Sequence, residues 1–208
     1  MPVFRQDGRA VLFVHVPKAG GSSLERLFAK SGWTTGYRDP KGGVGSMNSV
    51  RRCSPQHMHR PMLEQVFRLD RFDAVFMTVR EPLARFRSEF AYRNANRVSA
   101  TAVEVEAWYD EAFREYRHDP FVFDNHLRPQ WEFHLPGAHV YRLEDGLEAV
   151  VSDLNTRWGL GLLPLSEVPR VLDRSAQSGI ASNEVRLTPG LERRLRMEYA
   201  EDFARFGY

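Results

Sequence analysis

A chain of 208 residues, 42 % hydrophobic and 12 % aromatic, carries enough apolar surface for one ordinary core, and no apolar run in it approaches the ~20 residues that a membrane-spanning helix needs. A net charge of +2 excludes the dense positive surface of a dedicated nucleic-acid binder, and a single cysteine, Cys53, excludes an internal disulfide or a thiolate metal cluster. One domain over residues 1–208 is expected, in a reducing, cytoplasmic setting, because Met1 to Asp7 also lacks the charged-then-apolar layout of a signal peptide.

In chain order, residues 10–16 form a β-branched, apolar run that predicts a first strand. Pro17-Lys18-Ala19-Gly20-Gly21-Ser22-Ser23 follows, and Ser22 or Ser23 can cap a helix reaching about Ala29 with Leu24, Leu27 and Phe28 on its inner face. Gly32 to Arg52 reads as a mobile surface loop of the kind that shapes a substrate site. Ser54 to His59 leads into a short helix from Arg60 to Leu69. Phe72 to Val79 is a second buried strand, ended by Arg80-Glu81-Pro82, with Pro82 opening a helix to about Asn94. Val105, Trp108, Tyr109 and Phe113 recur at helical spacing within Val103 to Arg117 and belong to the core rather than to a binding platform. Phe121 to Leu135 mixes aromatic and polar residues. Ala138 to Leu143 is a third strand, a helix runs from about Leu147 to Trp158, Gly159 to Arg186 is loop-like, and Thr188-Pro189 opens a terminal helix reaching Phe203.

Strands separated by helices predict an α/β fold: a P-loop-like, three-layer arrangement with a central, mostly parallel sheet flanked by helices. Ligands in such sheets bind beyond the carboxyl ends of the strands. His15 to Ser23, Arg80 and Glu144 all follow strand ends, which puts them along one edge of the sheet.

The small-residue loop between the first strand and helix leaves backbone N–H groups at the positive end of a helix dipole, which makes an anion seat. It is not a nucleoside-triphosphate loop of the Gly-x-x-x-x-Gly-Lys-Ser/Thr type, because Lys18 precedes both glycines. Its order resembles the 5′-phosphosulfate-binding loop of sulfotransferases that use 3′-phosphoadenosine 5′-phosphosulfate (PAPS). Val79-Arg80-Glu81-Pro82 through Ser88 in turn is similar to that family's 3′-phosphate motif, in which a guanidinium and a hydroxyl converge on a phosphate. Tyr141 to Asp145 and the C-terminal helix extend the resemblance over most of the chain, and His15-Val16-Pro17-Lys18 most resembles the soluble bacterial-type relatives of the heparan-sulfate 2-O and 6-O enzymes.

The resemblance implies in-line, metal-independent sulfuryl transfer from PAPS to a hydroxyl of a carbohydrate or glycoconjugate, with adenosine 3′,5′-bisphosphate as product. Lys18 and the amides of Ala19, Gly20, Gly21, Ser22, Ser23 and Leu24 then hold the phosphosulfate, while Arg80 and Ser88 hold the 3′-phosphate. His15 is the first choice for the base that takes the acceptor proton, because its place three residues before Lys18 matches the histidine that the resembling enzymes use, and an imidazole's ordinary pKa also suits proton abstraction near neutrality. His57 and His59 are its rivals, sharing one face if their segment is extended, as Pro55 favours. His126, Arg128 and Gln130, with Trp131, are assigned to the acceptor or adenine side of the cleft, and Arg174 to Ser178 to a loop closing over the 3′-phosphate. No metal ligand set is expected. Two other readings stand beside this one: a magnesium-dependent nucleotide kinase-like phosphotransferase, and a non-catalytic protein that binds adenosine 3′,5′-bisphosphate.

Overall fold

The computed structural model describes residues 2–167 and 179–208. Val3–Gln6 (β1) and Arg9–Val14 (β2) form an antiparallel hairpin, joined by Asp7 and Gly8 at φ 50° and 78°. Two positive-φ residues in a two-residue loop match the right-handed twist of the flanking strands, and Asp-Gly is a favoured pair for this geometry. Thr34–Gly36 (β3) adds antiparallel to β1 on its outer side. Ala74–Val79 (β4) pairs in parallel with β2, and His139–Arg142 (β5) in parallel with β4. The sheet order is β3-β1-β2-β4-β5.

This is an α/β fold whose sheet is mixed, and the expectation of a mostly parallel sheet is corrected. The parallel portion, β2-β4-β5, is the part read from the sequence. The hairpin and β3 supply the antiparallel remainder. β3 also replaces part of the loop expected from Gly32 to Arg52, which contains in addition a 3₁₀ turn at Met47–Ser49.

Alternation along the strands sends side chains to two faces. Val11, Phe13 and Phe76 meet Leu24, Leu27 and Phe28 of Gly21–Lys30 (α1) and Val150, Val151 and Leu154 of Leu147–Trp158 (α5). Leu12, Val14, Met77 and Val79 face the other way, against Leu63 of Arg60–Val66 (α2), Phe133 and Leu135. Pro82–Arg93 (α3), Ala102–His118 (α4) and Pro189–Glu198 (α6) build a separate helical core in which Tyr109 and Phe113 are buried, as expected. Thr101 and Glu104 close a reciprocal capping box at the start of α4.

The terminal helix is two helices, α6 and Ala200–Phe206 (α7), broken at Tyr199. The break brings buried Asp202 to the backbone N–H groups of Gln130 and Trp131, at 2.9 and 2.8 Å. Among the described residues no helix is long and apolar enough to cross a membrane.

Candidate active site

β2 ends at Val14, and the chain turns sharply before α1. Lys18 and Gly20 adopt left-handed φ of 66° and 84°. Thr78 Oγ1 of β4 donates to the Ala19 carbonyl at 2.7 Å, which ties the loop to the sheet. The Ala19 N–H bonds the Val16 carbonyl and that of Ser23 bonds the Gly20 carbonyl, whereas Gly21 and Ser22 open the helix and have no earlier turn to bond. Gly20, not Ser22 or Ser23, is the cap residue, because its φ is one that glycine adopts without penalty. The two serines lie inside the first turn. Gly21 has a different role: a Cβ there would lie 2.3 Å from Cδ2 and Nε2 of His15, so the bare backbone lets the imidazole rest against the helix start.

Arg80 follows β4 directly and is clamped by Gln130, whose Oε1 accepts from the Arg80 N–H at 2.9 Å and whose Nε2 donates to its carbonyl at 2.7 Å. The Arg80 guanidinium reaches the Lys18 carbonyl at 3.4 Å. Burial pulls its pKa down, against the raising pull of Glu144 and Glu81. Glu81 caps α3 by accepting from the N–H groups of Leu83 and Ala84, and Ser88 lies on the turns that follow. Lys18, Gly20, Gly21, Ser22, Ser23, Arg80 and Ser88 all line one cleft of about 840 Å³, a volume suited to a nucleotide-sized ligand. Ala19 and Leu24 are fully buried beneath it and offer the cleft backbone at most.

Three histidines line the same cleft, and each has its Nδ1 bonded to a carboxylate. His15 meets Glu25 at 2.6 Å, with Arg38 on the far oxygen of Glu25 at 2.6 Å. His57 meets Asp124 at 2.7 Å, and His126 meets Glu89 at 2.6 Å, with Arg93 behind Glu89 at 2.7 Å. The His15 and His57 rings stand 5.1 Å apart, those of His57 and His126 4.9 Å apart, both edge to face. Burial would raise Glu25 and Glu89, but the bonds and charges of their partners outweigh it and bring both to about 2. Asp124 is likewise held down to about 2 by His57 and Ser54 against its burial. Burial pushes His57 itself down to about 3. With each carboxylate ionised, the proton of a neutral imidazole belongs on Nδ1 and the lone pair on Nε2.

His59 is not in this group. Pro55–His57 is a 3₁₀ turn rather than an extended stretch; His57 lines the cleft, whereas the His59 ring packs against Phe121 at 5.6 Å with its Nδ1 buried. Arg128 and Gln130 also do not line the cleft. Arg128 bonds Asn125, Glu132 and the Pro120 carbonyl, and Gln130 acts through the backbone of Arg80. Arg174 to Ser178 lies outside the described residues, although its neighbours Gly179 to Asn183 border the cleft.

Several participants have no motif in the sequence. Arg85 is fully buried and donates to the carbonyls of Pro17, His126 and Arg128, so one guanidinium joins the loop to the segment bearing His126. Tyr92 stacks on His126 and lies under the Lys18 ammonium, 4.2 Å from its ring centre. Glu89 was signalled only by its place on the buried face of α3, where a lone carboxylate demands a partner.

Atoms of His57, Asp124 and His126 capable of ligation lie within 4.8 Å of one another. His57 Nδ1 and Asp124 are already bonded to each other. A family model described as "Sulfotransferase family" matches residues 2–208. No curated protein and no solved structure gives a match.

Proposed function

Because the chain belongs to the sulfotransferase family, we propose that it moves a sulfuryl group from PAPS to a hydroxyl of a carbohydrate or glycoconjugate, in line and without a metal. The observation that carries this is the convergence of two anion seats, the Lys18 loop and the Arg80–Ser88 pair, on one cleft. Their separation in the chain and union in space suit a nucleotide with a phosphosulfate at one end and a 3′-phosphate at the other.

In this reading the acceptor oxygen attacks sulfur as the bond from sulfur to the bridging phosphate oxygen breaks. Lys18 and the amides of the α1 start stabilise the charge that passes to the departing adenosine 3′,5′-bisphosphate. His15, backed by Glu25 and Arg38, takes the acceptor proton at Nε2. His57 is a weak base, with its pKa pushed down to about 3, and is better suited to accept a hydrogen bond from the acceptor than to remove its proton. A wall of imidazole edges is a polar surface that matches a polyhydroxylated acceptor better than a flat phenol. Residues Gly179 to Asn183 also line the cleft. The lone cysteine keeps the cytoplasm as the proposed setting.

Incubation with PAPS and EDTA over a panel of heparosan, chondroitin and dextran oligosaccharides tests this by mass: a gain of one sulfonate is expected. The absence of both nucleotide binding and any sulfated product would overturn it. Binding of adenosine 3′,5′-bisphosphate with no transfer to any acceptor would favour a non-catalytic binding protein instead.

A further inference from the structure

The turn Phe123–Asn125 is unusual in its backbone. Three consecutive residues, none of them glycine, have left-handed φ of 54°, 60° and 64°. Cβ crowds the following carbonyl in that region, and residues other than glycine enter it singly, so a run of three persists only where its surroundings over-determine it. The surroundings are specific. Asp124 Oδ1 accepts from the Ser54 N–H at 2.5 Å, and its Oδ2 accepts from Ser54 Oγ and lies on His57 Nδ1, both at 2.7 Å. Asn125 Nδ2 donates to the His57 carbonyl at 2.8 Å, while its Oδ1 accepts from Arg128 at 3.0 Å. The turn therefore grips His57 by ring and backbone at once.

We propose that Asp124 is a positioning residue for the acceptor, acting through His57. It fixes the proton of His57 on Nδ1, so that Nε2 receives a hydrogen bond from the acceptor hydroxyl or its neighbour. The acceptor's role rests on the sulfuryl-transfer reading above; the tautomer does not. Asp124→Asn separates the two properties of this position. Asparagine tolerates a left-handed backbone, and the Ser54 N–H holds the amide oxygen on the Oδ1 side. The NH₂ group then faces His57 Nδ1, which must become an acceptor, and the ring proton moves to Nε2.

Long-range ¹H–¹⁵N correlation on the full chain labelled with ¹⁵N-histidine reads the tautomer directly. The wild type is expected to show His57 protonated at Nδ1 and Asp124→Asn to show it protonated at Nε2. Adenosine 3′,5′-bisphosphate should bind both equally, and kcat/KM for whichever panel acceptor is sulfated should fall roughly 100-fold in the variant. A wild-type His57 protonated at Nε2 overturns the proposal even if the variant fails to fold. So does an unchanged tautomer or unchanged transfer in the variant, or nucleotide affinity that falls together with turnover. If the wild type sulfates no acceptor, the functional reading fails while the tautomer measurement still decides the role of Asp124.

Discussion

Lys18 is held at a left-handed φ of 66°, its carbonyl accepting from Arg80 and its ammonium over the Tyr92 ring. A cation fixed beside the start of a helix acts on charge that develops during transfer more than on charge already present in the bound nucleotide. Lys18→Ala should therefore lower kcat by about 10²–10³-fold and also weaken adenosine 3′,5′-bisphosphate, whose 5′-phosphate keeps that charge after transfer; an unchanged kcat would contradict the assigned role. Arg80 is expected to act on binding of the 3′-phosphate. A lost charge-assisted hydrogen bond is worth about 1.5–3 kcal/mol, so Arg80→Ala should weaken the 3′,5′-bisphosphate by roughly 10–150-fold and leave AMP, which has no 3′-phosphate, unaffected in calorimetric titration. The position of both residues at one cleft was legible in the sequence because they sit in short motifs at strand ends. Glu25 and Asp124 were not, since each matters only through the histidine that the fold brings to it. Arg128 and Gln130 are buried away from the cleft, and polar residue type alone does not separate such a side chain from a ligand contact.

At the scale of elements, the strand-loop-helix from β2 to α1 depends on two adjacent glycines for different reasons. Gly20→Ala places a side chain at φ 84° and 2.8 Å from the flexible end of Leu143, a strain of about 1–2 kcal/mol that should appear mainly as a lower Tm. Gly21→Ala drives a methyl into the buried His15 ring, which Glu25 holds in place, and should abolish most transfer as well as lower Tm. Equal effects of the two substitutions on both readouts would contradict this division. The β2-α1, β4-α3 and β5-α5 units were all legible, because a buried apolar run followed by a polar turn and helical periodicity is a strong signal. β1 had a signal, Asp7-Gly8 between two apolar runs, that points to a hairpin. β3, three exposed residues at the sheet edge, had none. The 3₁₀ turn that ends at His57 was likewise hidden, because Pro55 suits the first position of such a turn as well as an extended stretch.

Across the whole molecule, the buried histidine–carboxylate pairs tie stability to pH. Glu25 and Glu89 have folded pKa values near 2 against an ordinary 4.5, so their contribution is complete above about pH 4.5 and is lost as pH falls toward 2. His57 and His59 lie at about 3 and 4 against 6.5. The unfolded chain takes up those protons first, and stability falls from pH 6.5 downward. Tm should accordingly decline in two stages on acidification, and His57→Gln should shrink the upper one; a flat Tm from pH 7 to 3 would contradict the burial of these groups. The general arrangement of helices about a sheet followed from the alternation of elements, whereas the mixed sheet and the union of His15, His57 and His126 required three dimensions. If one cleft seats a nucleotide by both of its phosphate ends, calorimetry in EDTA with adenosine 3′,5′-bisphosphate, 5′-AMP, 3′-AMP and ATP will show tight binding of the bisphosphate alone and much weaker binding of either monophosphate. Equal affinity for 5′-AMP, or a preference for ATP that appears when magnesium is restored, would contradict it.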